Sequence, residues 1–312
     1  MSSGNSNTKG SGPLVSVIMI FLNAGKFIEE AITSVLNQTC TDWELLLVDD
    51  GSTDESTHIA RSFVDRCPDK IVYFEHQNHV NRGMSASRNL AIQNARGKYI
   101  AFLDADDVLN ANKLEEQTRV LETHTDAVFA CGRTERWHSW TGDKEDLDRN
   151  TYQNFTVPFD TVLTPPAILL MWLKDEYAAL TADVMVRRDI VNAVGGYEDA
   201  FSGMYEDQVF HAKLCLRYPG YISSASWYRY RQHPASMCSA VGVQGWAVTR
   251  LKFLQWLKSY MITHGIQNDE IFLLMQQQFK MLWHARHPTA SRIVLALRRG
   301  KNAIGSLIGA KQ

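Results

Sequence analysis

The sequence predicts an α/β fold on a mostly parallel sheet, and three observations carry that reading. Short, almost wholly apolar runs at 15–21, 43–48, 71–75 and 99–103 have the length and composition of strands buried on both faces. The stretches between them carry apolar residues at helical spacing, as βαβ units require. Two of the runs stop abruptly at clustered acids, Asp49-Asp50 and Asp104-Ala105-Asp106-Asp107. A buried strand cannot hold bare carboxylates in its middle, so the acids mark the strands' carboxyl ends. Ligands of open parallel sheets bind there, and two such ends point at one shared crevice.

In order, the first strand is followed by a turn at Asn23-Ala24-Gly25. Phe27, Ile28, Ala31, Ile32, Val35 and Leu36 then form one face of a helix, with Glu29 and Glu30 on the other. Helices are expected over 54–66 and 85–95, and Gly97-Lys98 turns the chain into the strand at 99–103. A helix over 110–122 follows the acids. Beyond Cys131 the pattern loosens. The polar stretch 143–154 reads as a surface excursion, 164–173 as a short helix opening with Pro165-Pro166, and 182–186 as a strand. Gly195-Gly196-Tyr197 is a turn, 205–217 a helix and 221–230 β-prone. Three helices are expected at the end, over 241–263, 269–285 and 289–308. The division is therefore a disordered tail over 1–13, an α/β domain over 14–236 and a helical region over 237–312.

Composition bounds the function. With 312 residues, 45% of them hydrophobic, the chain can bury a large α/β core with an appendage. A formal net charge of −2 argues against a nucleic-acid partner. Five cysteines without C-x-x-C spacing fit free thiols in a reducing compartment. No apolar run approaches the ~20 residues that span a bilayer, and 1–12 lacks the apolar segment of a secretion signal. The expected location is cytoplasmic. There is no acid after Glu270, and Arg286, Arg292, Arg298, Arg299 and Lys301 alternate with apolar residues. This basic helix would lie peripherally on an anionic membrane face, or else be an ordinary solvated helix.

The acid cluster at 104–107 invites a divalent cation, since like charges that close repel and carboxylate oxygens suit Mg²⁺ or Mn²⁺. The competing reading is an acidic turn opening the next helix. No phosphate-cradling glycine loop follows the first strand, so a bound nucleotide's phosphates would be neutralised by metal.

Val-Ser-Val-Ile-x-x-x-x-Asn, Leu-Val-Asp-Asp-Gly-Ser-Thr-Asp, Ser-Arg-Asn-x-Ala, Phe-Leu-Asp-Ala-Asp-Asp and Tyr-Glu-Asp occur in this order between 14 and 236. The ordered set resembles the family 2 glycosyltransferases. The resemblance implies a GT-A-type, Rossmann-like sandwich with a mostly parallel central sheet, here with a helical C-terminal appendage. It also implies an inverting transferase for hexose or N-acetylhexosamine, using a nucleotide sugar, with a UDP-linked donor expected, and Mn²⁺ or Mg²⁺. The acceptor would be a glycan or a lipid-linked glycan. Asp50 would accept from the nucleotide base, Asn23 would frame the nucleoside, and Arg88 would lie near base and diphosphate. Asp104 would touch the ribose or a metal-bound water, and Asp106 would ligate the metal, with His233 completing that site and Arg231 or Ser236 assisting. Asp107 is either part of this cluster or a helix-terminal acid. Glu198-Asp199 and Glu206-Asp207 compete for the catalytic pair. The second opens an amphipathic helix and matches the family's Glu-Asp, which makes Asp207 the general base and Glu206 an acceptor ligand. The absence of Gln-x-x-Arg-Trp and of a membrane span points to single additions rather than polymer secretion. The alternatives are a sugar nucleotidyltransferase and a non-catalytic nucleotide-sugar-binding protein.

Overall fold

The computed structural model describes residues 12–175, 180, 182–201, 203–237 and 243–285. Its centre is an eight-stranded sheet in the order β3-β2-β1-β4-β10-β6-β11-β9. The strands are β1 (Val15–Phe21), β2 (Trp43–Asp49), β3 (Ile71–Glu75), β4 (Tyr99–Asp104), β6 (Phe129–Cys131), β9 (Thr161–Leu163), β10 (Val184–Arg187) and β11 (Gly220–Ile222). β3, β2, β1 and β4 are mutually parallel, whereas β10 runs antiparallel to β4 and β6. α1 (Ile28–Leu36), α2 (Ser56–Arg66) and α3 (Met84–Asn94) join the parallel strands. The register brings the acidic ends level. Phe21 pairs with Asp49, and Ile20 with Asp104.

The alternation within β1 shows why the sheet is two-faced. Val17, Met19 and Phe21 face a core shared with α1, α2 and α4 (Lys113–Thr123). Ile18 and Ile20 face a second core shared with α3, α5 (Ala167–Lys174) and α7 (Glu206–Arg217). Both faces being covered, every residue of β1 and β2 is buried. Two helices, α8 (Val243–Thr263) and α9 (Asp269–Ala285), add Phe253, Leu257, Ile271 and Met275 to that second core. α6 (Arg188–Ala193) follows β10.

A small second sheet runs β5-β12-β7-β8, where β5 is Val108–Leu109, β7 Thr134–Trp137, β8 Thr151–Tyr152 and β12 Tyr228–Arg231. It pairs Tyr228 with Leu109, so the chain just after the 104–107 acids lies beside 228–231.

The expected elements are present with shifted ends. α2 begins at Ser56 because the Asp54 carboxylate already accepts from Ser56 N at 3.0 Å and Gly25 N at 2.9 Å. α4 begins at Lys113, since residues 108–109 are drawn into the small sheet. The 221–230 stretch is two strands in different sheets. Asp160 accepts from Ser224 N at 3.0 Å and Ser224 Oγ at 2.7 Å and turns the chain between them. The tail over 1–11 and the basic helix expected over 289–308 lie outside the described residues. Among the described residues, no helix is long and apolar enough to cross a membrane.

Candidate active site

A cleft of about 1290 Å³ opens at the carboxyl ends of β1, β2 and β4, and Asn23, Asp50, Arg88, Asp104, Asp106, Glu206, Asp207 and His233 all line it. Residues separated by up to 210 positions in sequence are thus gathered at one place, whereas Arg231, expected to assist, does not line the cleft.

The first wall is the turn after β1. Asn23 has φ 52°, a left-handed conformation that asparagine tolerates. Its Oδ1 accepts from Thr53 N at 2.8 Å, and its own N–H donates to Ser52 Oγ at 3.0 Å, fixing the β2 loop against β1. The two adjacent acids divide their work. Asp49 turns inward, accepting from Ser52 N at 2.7 Å and from Thr57 Oγ1 at 2.5 Å, and so braces the loop and the first turn of α2. Asp50 lines the cleft. Its carboxylate accepts from Arg82 N at 2.7 Å and Gly83 N at 3.0 Å, with His76 Nε2 at 3.7 Å. A carboxylate offers about four acceptor positions, so Asp50 keeps capacity beyond these bonds.

The second wall is the acid loop after β4. Asp107 is buried with both oxygens engaged, by Arg231 N and Tyr228 OH, each at 2.8 Å. It is a brace between the loop and β12, not a helix-terminal acid. Burial and the neighbouring carboxylates push its carboxyl well above the usual range. Asp104 and Asp106 stay about one-third exposed, with side-chain exposures of 35% and 30%. Asp106 Oδ2 lies 3.0 Å from His233 Nε2, and Arg231 Nε donates to the Asp106 carbonyl at 2.7 Å. Arg231 also reaches Glu30 at 2.6 Å and stands over the rings of Trp137 and Phe27. One carboxylate and one imidazole in contact, with Asp104 beside them, form a donor set that suits Mn²⁺ or Mg²⁺ provided phosphate oxygens supply the remaining positions. Among the described residues there is no group of three or more His, Cys, Asp or Glu that would hold an ion unaided.

The third wall is the start of α7. Tyr205, at φ 73°, turns the chain so that Glu206 and Asp207 open the helix. Arg88, buried on α3, donates to Asp104 at 2.7 Å and to Glu206, joining the acid loop to α7 through one guanidinium. Burial pushes the Asp207 carboxyl up to about 6, against the pull of Arg88. Burial likewise pushes Glu206 to about 8, opposed by Arg88 and aided by the charges of Asp207 and Asp104. The rival pair behaves differently. Glu198 is tied to the buried Lys213 and Asp199 to Asn89, and neither lines the cleft.

Some cleft residues had weaker sequence signals. His211 stands one helical turn beyond Asp207, and burial together with the Arg88 charge holds its imidazole neutral, with a pKa of about 3. The i, i+4 spacing from Asp207 was the available signal. Tyr228 bonds both Asp107 and the Asp104 N–H at 3.1 Å, a role visible only once the two sheets are assembled.

Acids at the ends of the two parallel strands that flank β1, facing a Glu-Asp pair across a cleft in this mixed sheet, form the arrangement of the GT-A class of glycosyltransferase folds. Residues 16–171, half of the chain, match the family model for glycosyl transferase family 2, and the chain belongs to that family. It is 37% identical over 154 residues to the uncharacterized glycosyltransferase EpsJ of Bacillus subtilis, covering 49% of this chain and 41% of that protein. It is 42% identical over 153 residues to the putative teichuronic acid biosynthesis glycosyltransferase TuaG of the same organism, covering 48% and 57%. The chain thus spans about half the length of these curated relatives. In structure it resembles S. aureus TarS 1–349 in complex with UDP, with a TM-score of 0.59 and 18% identity over 88% of this chain and 72% of that one. It also resembles the mannosyltransferase PcManGT from Pyrobaculum calidifontis in complex with GDP-Man and Mn²⁺, with a TM-score of 0.59 and 16% identity over 95% and 79%. At these identities the structural likeness is one of fold.

Proposed function

We propose that this protein is an inverting glycosyltransferase that moves a hexosyl or N-acetylhexosaminyl group from a UDP-linked sugar to a glycan or lipid-linked glycan. One observation carries the reading. Arg88 bonds Asp104 on the strand side and Glu206 on the helix side, so a donor site and a base are held in one cleft. The TarS complex with UDP and the teichuronic acid role in TuaG's name support the donor and acceptor classes.

Asp50, with acceptor capacity left over, takes the imide N–H of uracil, while Asn23 shapes the nucleoside's edge. Asp106 and His233 would hold the divalent ion, and Asp104 would contact the ribose or the ion's water shell. When bound, the ion supplies positive charge at the leaving diphosphate. Asp207 takes the proton of the acceptor hydroxyl. Its raised pKa matches that task, because a base is most effective with a pKa close to the working pH. Glu206, with Oε2 unpartnered in a buried setting, accepts a hydrogen bond from or donates one to the acceptor. Inversion follows from a single displacement, with the base and the leaving group on opposite sides of the anomeric carbon.

The test is transfer and donor hydrolysis across UDP-, GDP-, dTDP- and CMP-sugars with Mn²⁺, Mg²⁺ or EDTA. Metal-dependent use of UDP-sugars is expected. Release of pyrophosphate from UTP and a sugar phosphate would replace this reading with nucleotidyl transfer.

A further inference from the structure

Five Lys or Arg side chains are buried among the described residues: Arg88, Lys113, Lys213, Arg231 and Arg250. Four have carboxylate partners, respectively Asp104 with Glu206, Asp183, Glu198 and Glu30. Arg250, on α8 and only 3% exposed, has no carboxylate partner among the described residues. Its Nε and Nη2 both donate to Gln278 Oε1, at 2.9 and 2.7 Å, and its Nη1 donates to nothing. Gln278 is itself held by donating to the Leu173 carbonyl at 2.6 Å. The guanidinium also stands over the rings of Tyr205 and Phe253, at 5.5 and 5.3 Å. A buried cation left to a neutral amide is costly, and proteins ordinarily pair it.

Arg250 lines the same cleft as the acid pairs. Tyr205, which it covers, immediately precedes Glu206 and Asp207. Unpartnered buried polar atoms recur along this cleft. Of the residues with such atoms, Glu206, Gln208, His211 and Arg250 all line the cleft. The wall built by α8 and α9 therefore carries a fixed positive charge, without a carboxylate partner among the described residues, next to the start of α7 and in a part of the chain outside the matched family region.

We propose that Arg250 is an acceptor-binding residue for an oxyanion, and that the acceptor carries a phosphate or carboxylate group close to the hydroxyl that is glycosylated. The proposal rests on the transferase reading above. A guanidinium fork with a free N–H suits either anion, because both present paired oxygens to it. Gln278 holds the fork in place before the acceptor arrives, and the ligand supplies the missing counter-charge.

The test is a calorimetric titration of inorganic phosphate, and separately of glucuronate, into the full chain saturated with UDP and Mn²⁺. Saturation keeps the donor site occupied, and UDP affinity measured on each variant reports whether that site is intact. Saturable binding of at least one anion is expected, weakened at least tenfold in Arg250→Gln and less in Arg250→Lys. Which anion binds identifies the acceptor's group. Gln278→Glu sharpens the test by giving Arg250 a built-in carboxylate. It is expected to abolish anion binding while raising the melting temperature, a combination that a merely structural Arg250 would not produce. Equal anion binding in wild type and Arg250→Gln, no anion binding to the UDP complex, or displacement of the anion by UDP would overturn the proposal. A wild-type chain that binds no nucleotide at all would overturn the transferase reading, and the acceptor site with it.

Discussion

Asp104 and Asp106 at the end of β4, and Glu206 and Asp207 at the start of α7, are both short acidic groups at the mouth of one cleft. They differ in setting. The first pair remains about one-third exposed and touches His233 and Arg88. In the second, Glu206 is 3% exposed and both carboxyls are pushed upward by burial. Burial grades the acids rather than splitting them pair from pair, since it raises the Asp104 carboxyl as well, against the pull of Arg88. A solvent-facing carboxylate stays available to metal and phosphate, whereas a desolvated one gains a pKa suited to receiving a proton. Arg88 is the joint between the two, and it keeps the buried Glu206 from standing unopposed.

The largest effect is expected from breaking the buried side. Asp207→Asn should lower kcat by roughly 10²- to 10⁴-fold, the range general-base catalysis contributes, and steady-state transfer assays would read it. Arg88→Met removes the joint. Leaving buried carboxylates without their cation should cost about 3–5 kcal/mol, measured by denaturant unfolding. On the exposed side, His233→Ala should raise the Mn²⁺ concentration needed for half-maximal activity by about tenfold or more, since loss of one supporting group commonly costs that much metal affinity. Normal metal response in this variant would remove His233 from the ion site.

The pH dependence gives the smallest and most discriminating effect. Transfer should rise with pH through about 6 as Asp207 loses its proton. Stability should move the other way. Carboxyls raised above their ordinary values of 3.8 and 4.5 stabilise the fold fully below that range, and lose this as pH climbs through about 6 for Asp207 and about 8 for Glu206. Thermal melts from pH 4 to 9 should therefore fall as activity climbs.

Much of the strand side was legible in the sequence, for physical reasons. Apolar runs ending in acids can be read locally, and parallel topology then brings Asp50 and Asp104 level without further information. The Glu-Asp pair at 206–207 was readable only with the family's motif order, because acids opening a helix are ordinary. The role of Asp107 was not readable. Its partners, Tyr228 and the Arg231 N–H, lie more than 120 residues away on another strand. The short strands β5 to β9 were missed because runs of two to four residues carry no usable period. Arg250 had no signal at all, since a lone arginine on a helix is ordinarily solvated, and only burial without a carboxylate sets it apart.

The division of labour is tested most directly by titrating UDP, with and without Mn²⁺, into wild type, Asp106→Asn and Asp207→Asn. Mn²⁺-dependent tightening of UDP binding should persist in Asp207→Asn and disappear in Asp106→Asn. Loss of that dependence in both variants, or in neither, would contradict the assignment of metal and proton to separate acid pairs.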